Sequence, residues 1–506
     1  MNILLVNPLY PADTFWGFRH ALKFVSKRAS FPPLGLLTVA AILPEEWDKK
    51  LVDMNVTSLK DSDILWADYV FISAMSIQSR SADEVIQRCK VLNRKIVAGG
   101  PLFTSSPEYY QSVDHLVLNE AEITLPEFLS DLSGGKAKHI YTTEDWADIT
   151  HTPLPKWDLV AQNRYTSMNL QYSRGCPYDC DFCDITVLYG RRPRTKNREQ
   201  VLLELDALYK TGWRGPVFFV DDNFIGNKGK LKKDILPAIA EWNKRRNYPF
   251  YFSTEASINL ADDELLMQLM IRADFDAVFI GIESPNKESL VECNKTQNSS
   301  RDLISCVRKI QASGLEVQGG FIVGFDNDPP SIFDKLTDFI QESGIVTAMV
   351  GLLNAPKGTK LQKRLLQEER LLNDFNGNNT DLSINFVPRM DHDVLISGYK
   401  NIVRTIYSPK YFYERVMHFL KDFEPKTKKV FHLNSNYIAA LFRSIVKLGV
   451  IGEERFYYWK LFIWTLFRKP RLFSLAILFT IYGYHFRKIS NGFSHIYNNS
   501  ENLRAG

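Results

Sequence analysis

Three cysteines, Cys176, Cys180 and Cys183, fall within eight positions of the stretch RGCPYDCDFC, half of the six cysteines in a chain of 506 residues. Three chemistries compete for soft ligands packed this closely: a zinc site, a redox pair and an iron-sulfur cluster. A structural zinc site takes four protein ligands, usually as two spaced pairs, and the next cysteine lies too far along the chain. A Cys180–Cys183 disulfide would leave Cys176 without a purpose, and Cys89, Cys293 and Cys306 are scattered as in a reducing compartment. Thiolates at i, i+4 and i+7 can hold three irons of a cubane cluster and leave the fourth open to a ligand that is not a side chain. An open iron suggests catalysis rather than electron carriage.

Such a loop needs strands to hold it. From residue 166 to about 360, apolar runs (SMNLQYSRG, PVFFVDD, FYFSTEA, AVFIGIES, VQGGFIVGFD, AMVGLLNAP) alternate with helical patterns such as REQVLLELDALYKTG. Six strand-helix units make an open or partial (β/α)6 barrel of the TIM type, in which chemistry gathers where strands end. The cysteine loop follows the first strand. Later strand ends carry Asp221, Asp222 and Asn223, then Glu255, then Glu283, then the glycine-rich GGFIVGFD with Phe321, Ile322 and Gly324. Each also has a plain structural use: helix capping for 221–223, ion pairing for the glutamates, close packing for the glycine strand. Tyr172, Tyr189 and Arg191 lie near the cysteine loop, and no catalytic side chain stands out.

Residues 1–135 alternate in the same way, through NILLVNP, KKLVDMN, DYVFISAMS, KIVAGGP and HLVLNEAE. Continuous apolar strands between helices predict a parallel sheet covered on both faces, a doubly wound, Rossmann-like domain. Ligands of such sheets sit outside the carboxyl ends of the strands, where this sequence places Asn7, Asp53, Asn55, Ser73, Gly99 and Gly100. The glycines would let a bulky ligand approach the backbone, or simply form a turn. No G-x-G-x-x-G is present, which disfavours a dinucleotide. Residues 136–165 mix Gly, Pro and charges without periodicity and read as a linker. The expected organisation is thus 1–135, linker 136–165, barrel 166–365 and a mostly helical region 366–506, all in an α/β protein. A chain this long exceeds a single core. Its 45% apolar and 24% charged content is globular, and a net charge of +4 does not by itself imply nucleic acid. The start, MNILLVNPLYP, reads as a buried strand rather than a secretory signal, so a cytoplasmic protein is expected.

The spacing Cys176-x3-Cys180-x2-Cys183, with Phe182 before the last cysteine, resembles the cluster motif of the radical S-adenosylmethionine (radical SAM) superfamily. The N-terminal segments FPPLGLLTVAAIL, VDMN, VAGGP and NEAEITLPEFL resemble the cobalamin-binding domain that precedes the radical domain in many members. The segments after the sixth strand resemble the C-terminal module of a subgroup that includes hopanoid and bacteriochlorophyll methylases. The resemblance implies a 4Fe-4S cluster on the three cysteines, S-adenosylmethionine held by Phe182, Asp221, Asp222, Asn223, Glu255, Glu283, Phe321, Ile322 and Gly324, and cobalamin beside Asn7, Asp53, Asn55, Ser73, Gly99 and Gly100. The D-x-H-x-x-G that supplies a lower axial histidine in other cobalamin proteins is absent, so a bound cobalamin would lack that ligand.

The implied activity is abstraction of hydrogen from an unactivated carbon, which acid-base and nucleophilic catalysis cannot reach, followed by methyl transfer to a hydrophobic, lipid- or tetrapyrrole-like substrate. Electrons would come from an external donor of the flavodoxin or ferredoxin type. A radical enzyme that oxidises, contracts a ring or rearranges is the alternative, and a cobalamin sensor without catalysis the second; a methylthiotransferase is disfavoured because only Cys89 precedes Cys176. Between 440 and 490 there are nine Lys or Arg and two acids, interleaved with FYYWKLFIWTLF and LFSLAILFTIYGYHF. The second run, at 15 residues, is short for a bilayer span. It suits a membrane surface, at the inner face, and equally a terminal helix packed on the barrel. No nucleic-acid-binding fold is recognisable.

Overall fold

Apolar runs too short for helices and bounded by turn residues become strands here because both faces find a helical cover. The computed structural model describes residues 1–15, 17–378, 380–426 and 435–504, without the side chains of 435–436 and 493–504. In the N-terminal part, β1 (Asn2–Asn7), β2 (Asp48–Asp53), β3 (Tyr69–Ser73), β4 (Lys95–Gly99), β5 (His115–Val117) and β6 (Ile140–Tyr141) form one parallel sheet in the order β2-β1-β3-β4-β5-β6. Leu4 and Val6 of β1 face one buried cluster and Ile3 and Leu5 the other, so both faces of the strand are core. The order reverses at β1, which places the switch point at the carboxyl ends of β1 and β3.

The stretch 136–165, expected as a linker, is well structured. It supplies β6 and buries Trp157 and Tyr165. Tyr165 donates to Asp53 at 2.8 Å, whereas Gln200 of the Arg198–Lys210 helix donates to the carbonyls of Ile149 (2.9 Å) and Thr152 (3.1 Å). The connector is therefore fastened to both neighbours. Periodicity failed to reveal it because two-residue pairing and single turns leave no repeat to detect.

The barrel consists of β7 (Met168–Leu170), β10 (Gly215–Phe219), β11 (Phe250–Ala256), β12 (Phe275–Glu283), β13 (Glu316–Val323) and β14 (Ala348–Leu352), six parallel strands in sequential order. A two-stranded ribbon, β8 (Ser173–Arg174) and β9 (Arg194–Thr195), brackets the cysteine loop. Phe219, Phe250 and Phe252 pack outward against the helices, while the alternate residues Phe218, Ser253 and Glu255 face inward and are half-buried.

The sheet stays open between β7 and β14, and other parts of the chain bridge the gap. Asn169 of β7 donates to the Pro32 carbonyl at 3.0 Å. On the opposite edge, Tyr399 and Tyr407 of the His392–Tyr407 helix donate to the carbonyls of Val350 (3.1 Å) and Ala348 (2.6 Å) of β14. Phe18 then meets Tyr482 of the Phe473–Arg504 helix at 5.0 Å between ring centres. The helical C-terminal region closes the barrel laterally.

Candidate active site

The cysteine loop is a turn forced by its own backbone. Gly175 has φ +92°, and a Cβ there would lie 2.9–3.1 Å from the carbonyl oxygens of Tyr189, Gly190 and Arg192. The Cys176 amide donates to Gly190 at 3.3 Å, the Asp181 amide to the Cys293 carbonyl at 3.0 Å, and Asn294 to the Asp179 carbonyl at 2.9 Å. All six cysteines are free. The Asn223 amide lies 3.9 Å from the Cys176 sulfur and the Gln297 amide 3.8 Å from that of Cys180. Burial pushes all three loop thiols up, against the pull of Lys295 on Cys180 and Cys183. Three buried sulfurs become thiolates together only when cations share the site, and amide N–H groups aimed at two of them fit that state. Among the described residues no three His, Cys, Asp or Glu side chains converge as a single ion would require. A cubane needs no such convergence, since each thiolate ligates a different iron.

The acids after β10 serve this loop. Asp221, fully buried, accepts from the backbone N–H of Tyr172 at 3.1 Å and from that of Ser173. Asp222 accepts from Gly175 at 2.8 Å. Burial raises Asp221 to about 7 and Asp222 to about 6, against the opposing pull of these hydrogen bonds. Asp221 thus holds the backbone that leads into the cysteines. Asn223 opens the Phe224–Asn227 turn without a side-chain capping hydrogen bond, its side chain facing Cys176 and Ser257 instead.

The two glutamates part ways. Glu283, at φ +65°, pairs with Lys295 at 2.5 Å, the ion-pair use expected for one of them. A non-glycine residue in that region costs roughly 1–3 kcal/mol, which the pair with Lys295 helps to offset. Glu255 makes no hydrogen bond or ion pair among the described residues; burial, then the charges of Asp222 and Asp221, raise it to about 8. Phe182 is half-buried, 6.2 Å from the Phe325 ring, with the Lys295 ammonium 5.9 Å from its centre.

The glycine strand is a packing device along most of its length. A Cβ at Gly319 would meet the Phe321 ring, and one at Gly320 the Phe279 ring. Phe321 itself is buried against Phe339, so its ring faces the helices, while Ile322 beside it points to the other face and packs in the same cluster as Phe182. Ile322 is half-buried, and Gly324 (φ +108°) donates its N–H to Asp328 at 2.8 Å. Of the aromatic neighbours, Tyr172 is fully buried against Phe224, Tyr189 lies 6.0 Å from the Arg174 guanidinium, and Arg191 is exposed and paired with Asp179 at 3.1 Å. Sequence reading missed Lys295 and Gln297, which sit in the polar run ECNKTQNSS with no motif to announce them, and Ser257 and Asn259. Asn259 donates to Tyr178 of the cysteine loop at 2.7 Å. Tyr178, Ser257 and Asn259, with Arg192 and Lys228, line a cleft of about 470 Å³ beside Cys176.

At the carboxyl edge of the N-terminal sheet, Asn7, Asp53 and Asn55 bind one another: Asn7 donates to Asp53 at 2.9 Å and Asn55 to Asp53 at 2.7 Å, while Gln78 donates to Asn7 at 3.1 Å. This network shapes the edge. Gly99 and Gly100 are needed by the sheet itself, because added Cβ atoms would strike the Val117 carbonyl and the Ser73 hydroxyl. Beyond the network the edge exposes Leu9, Tyr10 and Met75, with the Tyr10 hydroxyl 3.7 Å from the Met75 sulfur. These three side chains give the strand-end edge an apolar rim. The edge lies toward the second half of the chain, since Thr380 donates to the Asp13 carbonyl at 2.8 Å and Tyr109 to Asp374 at 2.8 Å.

A three-cysteine loop on the first strand of an open six-stranded barrel, behind a doubly wound domain with an apolar strand-end rim, defines an enzyme of the radical SAM class with a cobalamin-type domain. Family comparisons agree: residues 25–129 match the B12 binding domain, 170–340 the radical SAM superfamily and 359–498 a domain of unknown function, DUF4070. The chain is similar to an uncharacterized methyltransferase of Synechocystis sp. (42% identity, covering 96% of this chain and 91% of the relative) and to the hopanoid C-2 methylase of Rhodopseudomonas palustris (34%, covering 99% and 97%). Its fold is similar to that of the cobalamin-dependent S-adenosylmethionine radical enzyme OxsB, with a TM-score of 0.62 at 16% identity over 99% of this chain and 81% of that one. The chain belongs to the cobalamin-binding radical SAM family that includes these methylases. Its cofactors are a 4Fe-4S cluster, S-adenosylmethionine and cobalamin.

Proposed function

We propose that this enzyme methylates an unactivated carbon of a hydrophobic, polycyclic lipid of the hopanoid kind. The carrying observation is the aromatic inner face of the barrel below the cysteine loop. Phe218 faces inward with Phe31 from the N-terminal part 5.2 Å from it, and Phe279 lies across Gly320. Such a wall holds a flat apolar substrate by area and excludes water. The match to hopanoid C-2 methylase over nearly the whole of both chains supports the same substrate class.

When bound, the cofactors supply hydrogen abstraction and methyl transfer. The chain's own part is to hold and orient. Cys176, Cys180 and Cys183 would take the cluster; Asp221 and Asp222 fix the loop backbone; Glu255 would meet the cationic end of S-adenosylmethionine; Phe182 and the backbone around Ile322 and Gly324 would flank it. The rim formed by Leu9, Tyr10 and Met75, shaped by Asn7, Asp53, Asn55, Ser73, Gly99 and Gly100, would take cobalamin. The cleft beside Cys176, with Arg192 and Lys228 in its lining, suits an acidic electron carrier of the flavodoxin or ferredoxin type. The division 1–135, 136–165, 166–365 and 366–506 is the organisation we adopt for these roles.

The test is anaerobic reconstitution with iron, sulfide and cobalamin, then incubation with methyl-labelled S-adenosylmethionine, reductant and a hopanoid fraction. Formation of 5′-deoxyadenosine with label on the lipid is the expected result. Deoxyadenosine with an altered but unlabelled lipid would instead favour oxidation or rearrangement.

A further inference from the structure

The Arg455–Arg468 helix faces water with the wrong side chains. It buries Tyr458, Leu461 and Thr465 inward, yet its outer face presents Phe456, Trp459, Ile463 and Phe467, with Phe456 72% and Phe467 77% exposed. The spacing i, i+3, i+7, i+11 puts these four on one stripe. The preceding π-turn, Ile445–Val450, ends at the same end of the helix on a further bare apolar residue, Ile451 at 73% exposure. Trp459 donates to the Gly449 carbonyl at 2.9 Å, which fixes helix and turn as one surface. Large exposed apolar stripes mark interaction surfaces.

The charge around the stripe identifies what it meets. From 455 to 471 there are five basic residues and no acid. Lys460, Arg468 and Arg471 are exposed and have no carboxylate partner among the described residues. A docking site for another protein would ordinarily carry both signs at its rim. Apolar and aromatic side chains interleaved with unpaired cations fit an anionic bilayer, where rings settle at the headgroup level and cations meet lipid phosphates. No described helix is long and apolar enough to cross a membrane.

We infer that the Arg455–Arg468 helix, with the turn before it, is a seat that lies in the surface plane of an anionic lipid bilayer. The helix packs on Phe473–Arg504, whose Tyr482 reaches the N-terminal segment that bridges the barrel opening. Docking here would bring that opening close to the lipid phase, a consequence that rests on the proposed substrate class. Lipid binding itself does not.

The experiment sediments the full-length protein with phosphatidylcholine vesicles, with and without phosphatidylglycerol. Binding is expected only with phosphatidylglycerol, weakening as salt rises. Each of Lys460→Glu, Arg468→Glu and Arg471→Glu should lower partitioning roughly fivefold or more. Phe456→Ser with Phe467→Ser should lower it roughly tenfold or more, with no loss of thermal stability, since both rings are solvated. Lipids brominated in their chains should quench a component of the fluorescence that Trp459→Phe removes. Failure of the native chain to bind, absence of that quenching, or unchanged binding by the double serine variant would overturn the inference. So would a vesicle-free dimer that the serine variant dissolves, because the stripe would then belong to a second copy of the chain.

Discussion

Arg174, two residues ahead of Cys176, donates to Glu120 of the N-terminal domain at 2.5 Å and to Glu122 at 3.0 Å. Glu120 is almost fully buried and also accepts from Arg194 at 2.7 Å, so the two strands of the β8–β9 ribbon are pinned to one carboxylate of the neighbouring domain. The cysteine loop and the cobalamin-type sheet are thereby registered to each other by a buried charge cluster.

Arg174→Gln should cost roughly 3–5 kcal/mol, because two buried carboxylates lose a shared cation. The same cluster sets a response to acid. Burial favours protonation of Glu122, but the charge and hydrogen bonds of Arg174 outweigh it and hold the carboxyl below its ordinary range. A depressed carboxyl contributes stability above the ordinary glutamate range that is lost as pH falls through the lowered value. Urea denaturation should show a wild-type decline on acidification that is shallower in Arg174→Gln.

Gly175→Ala should empty the cluster site while leaving the rest of the fold in place. Its φ of +92° and three carbonyls within 3.1 Å of the added Cβ cost about 1–3 kcal/mol, concentrated in the loop. Iron content and visible absorption should fall toward those of Cys176→Ala, with far-ultraviolet circular dichroism unchanged. Full iron loading in this variant would contradict the assigned loop geometry.

Glu255→Gln should stabilise the cofactor-free protein at alkaline pH. Burial and the neighbouring acids raise Glu255 to about 8, so its contribution is present below the ordinary glutamate range and fades as pH rises through that value. By about pH 9 the glutamine variant should be ahead by ~2–4 kcal/mol in denaturant titrations. It should also bind S-adenosylmethionine more weakly in equilibrium dialysis, having lost the counter-charge.

Lys295→Met strips Glu283 of its partner while the carboxylate remains buried at positive φ. A loss of ~3–5 kcal/mol is expected, together with poorer iron retention, because Lys295 also draws on Cys180 and Cys183. Lys295→Arg should recover much of the stability. Equal instability in both variants would show that ammonium geometry, rather than charge, is what the site requires.

Much of this was legible from residue types. Strand placement through the barrel follows the apolar runs, and the close spacing of the three cysteines, read with the family resemblance it carries, points to a cluster site. The roles of the acids were less legible. Asp221 and Glu255 both lie at strand ends, yet the first is consumed by the amides of Tyr172 and Ser173 and the second has no hydrogen-bond or ion-pair partner among the described residues. Two carboxylates with the same local signature differ only in what the neighbouring strand brings to them.

The sequence by itself determined the strand and helix order, the three-thiol loop and the absence of a D-x-H-x-x-G motif, since each depends on residue identity over a short span. Tertiary structure alone decided that Lys295 and Gln297 face the cysteines, that Arg174 locks two domains, and that Phe456 and Phe467 remain bare. The physical reason is that pairing and burial of a side chain depend on residues tens to hundreds of positions away, whereas periodicity and ligand spacing are carried by the chain locally.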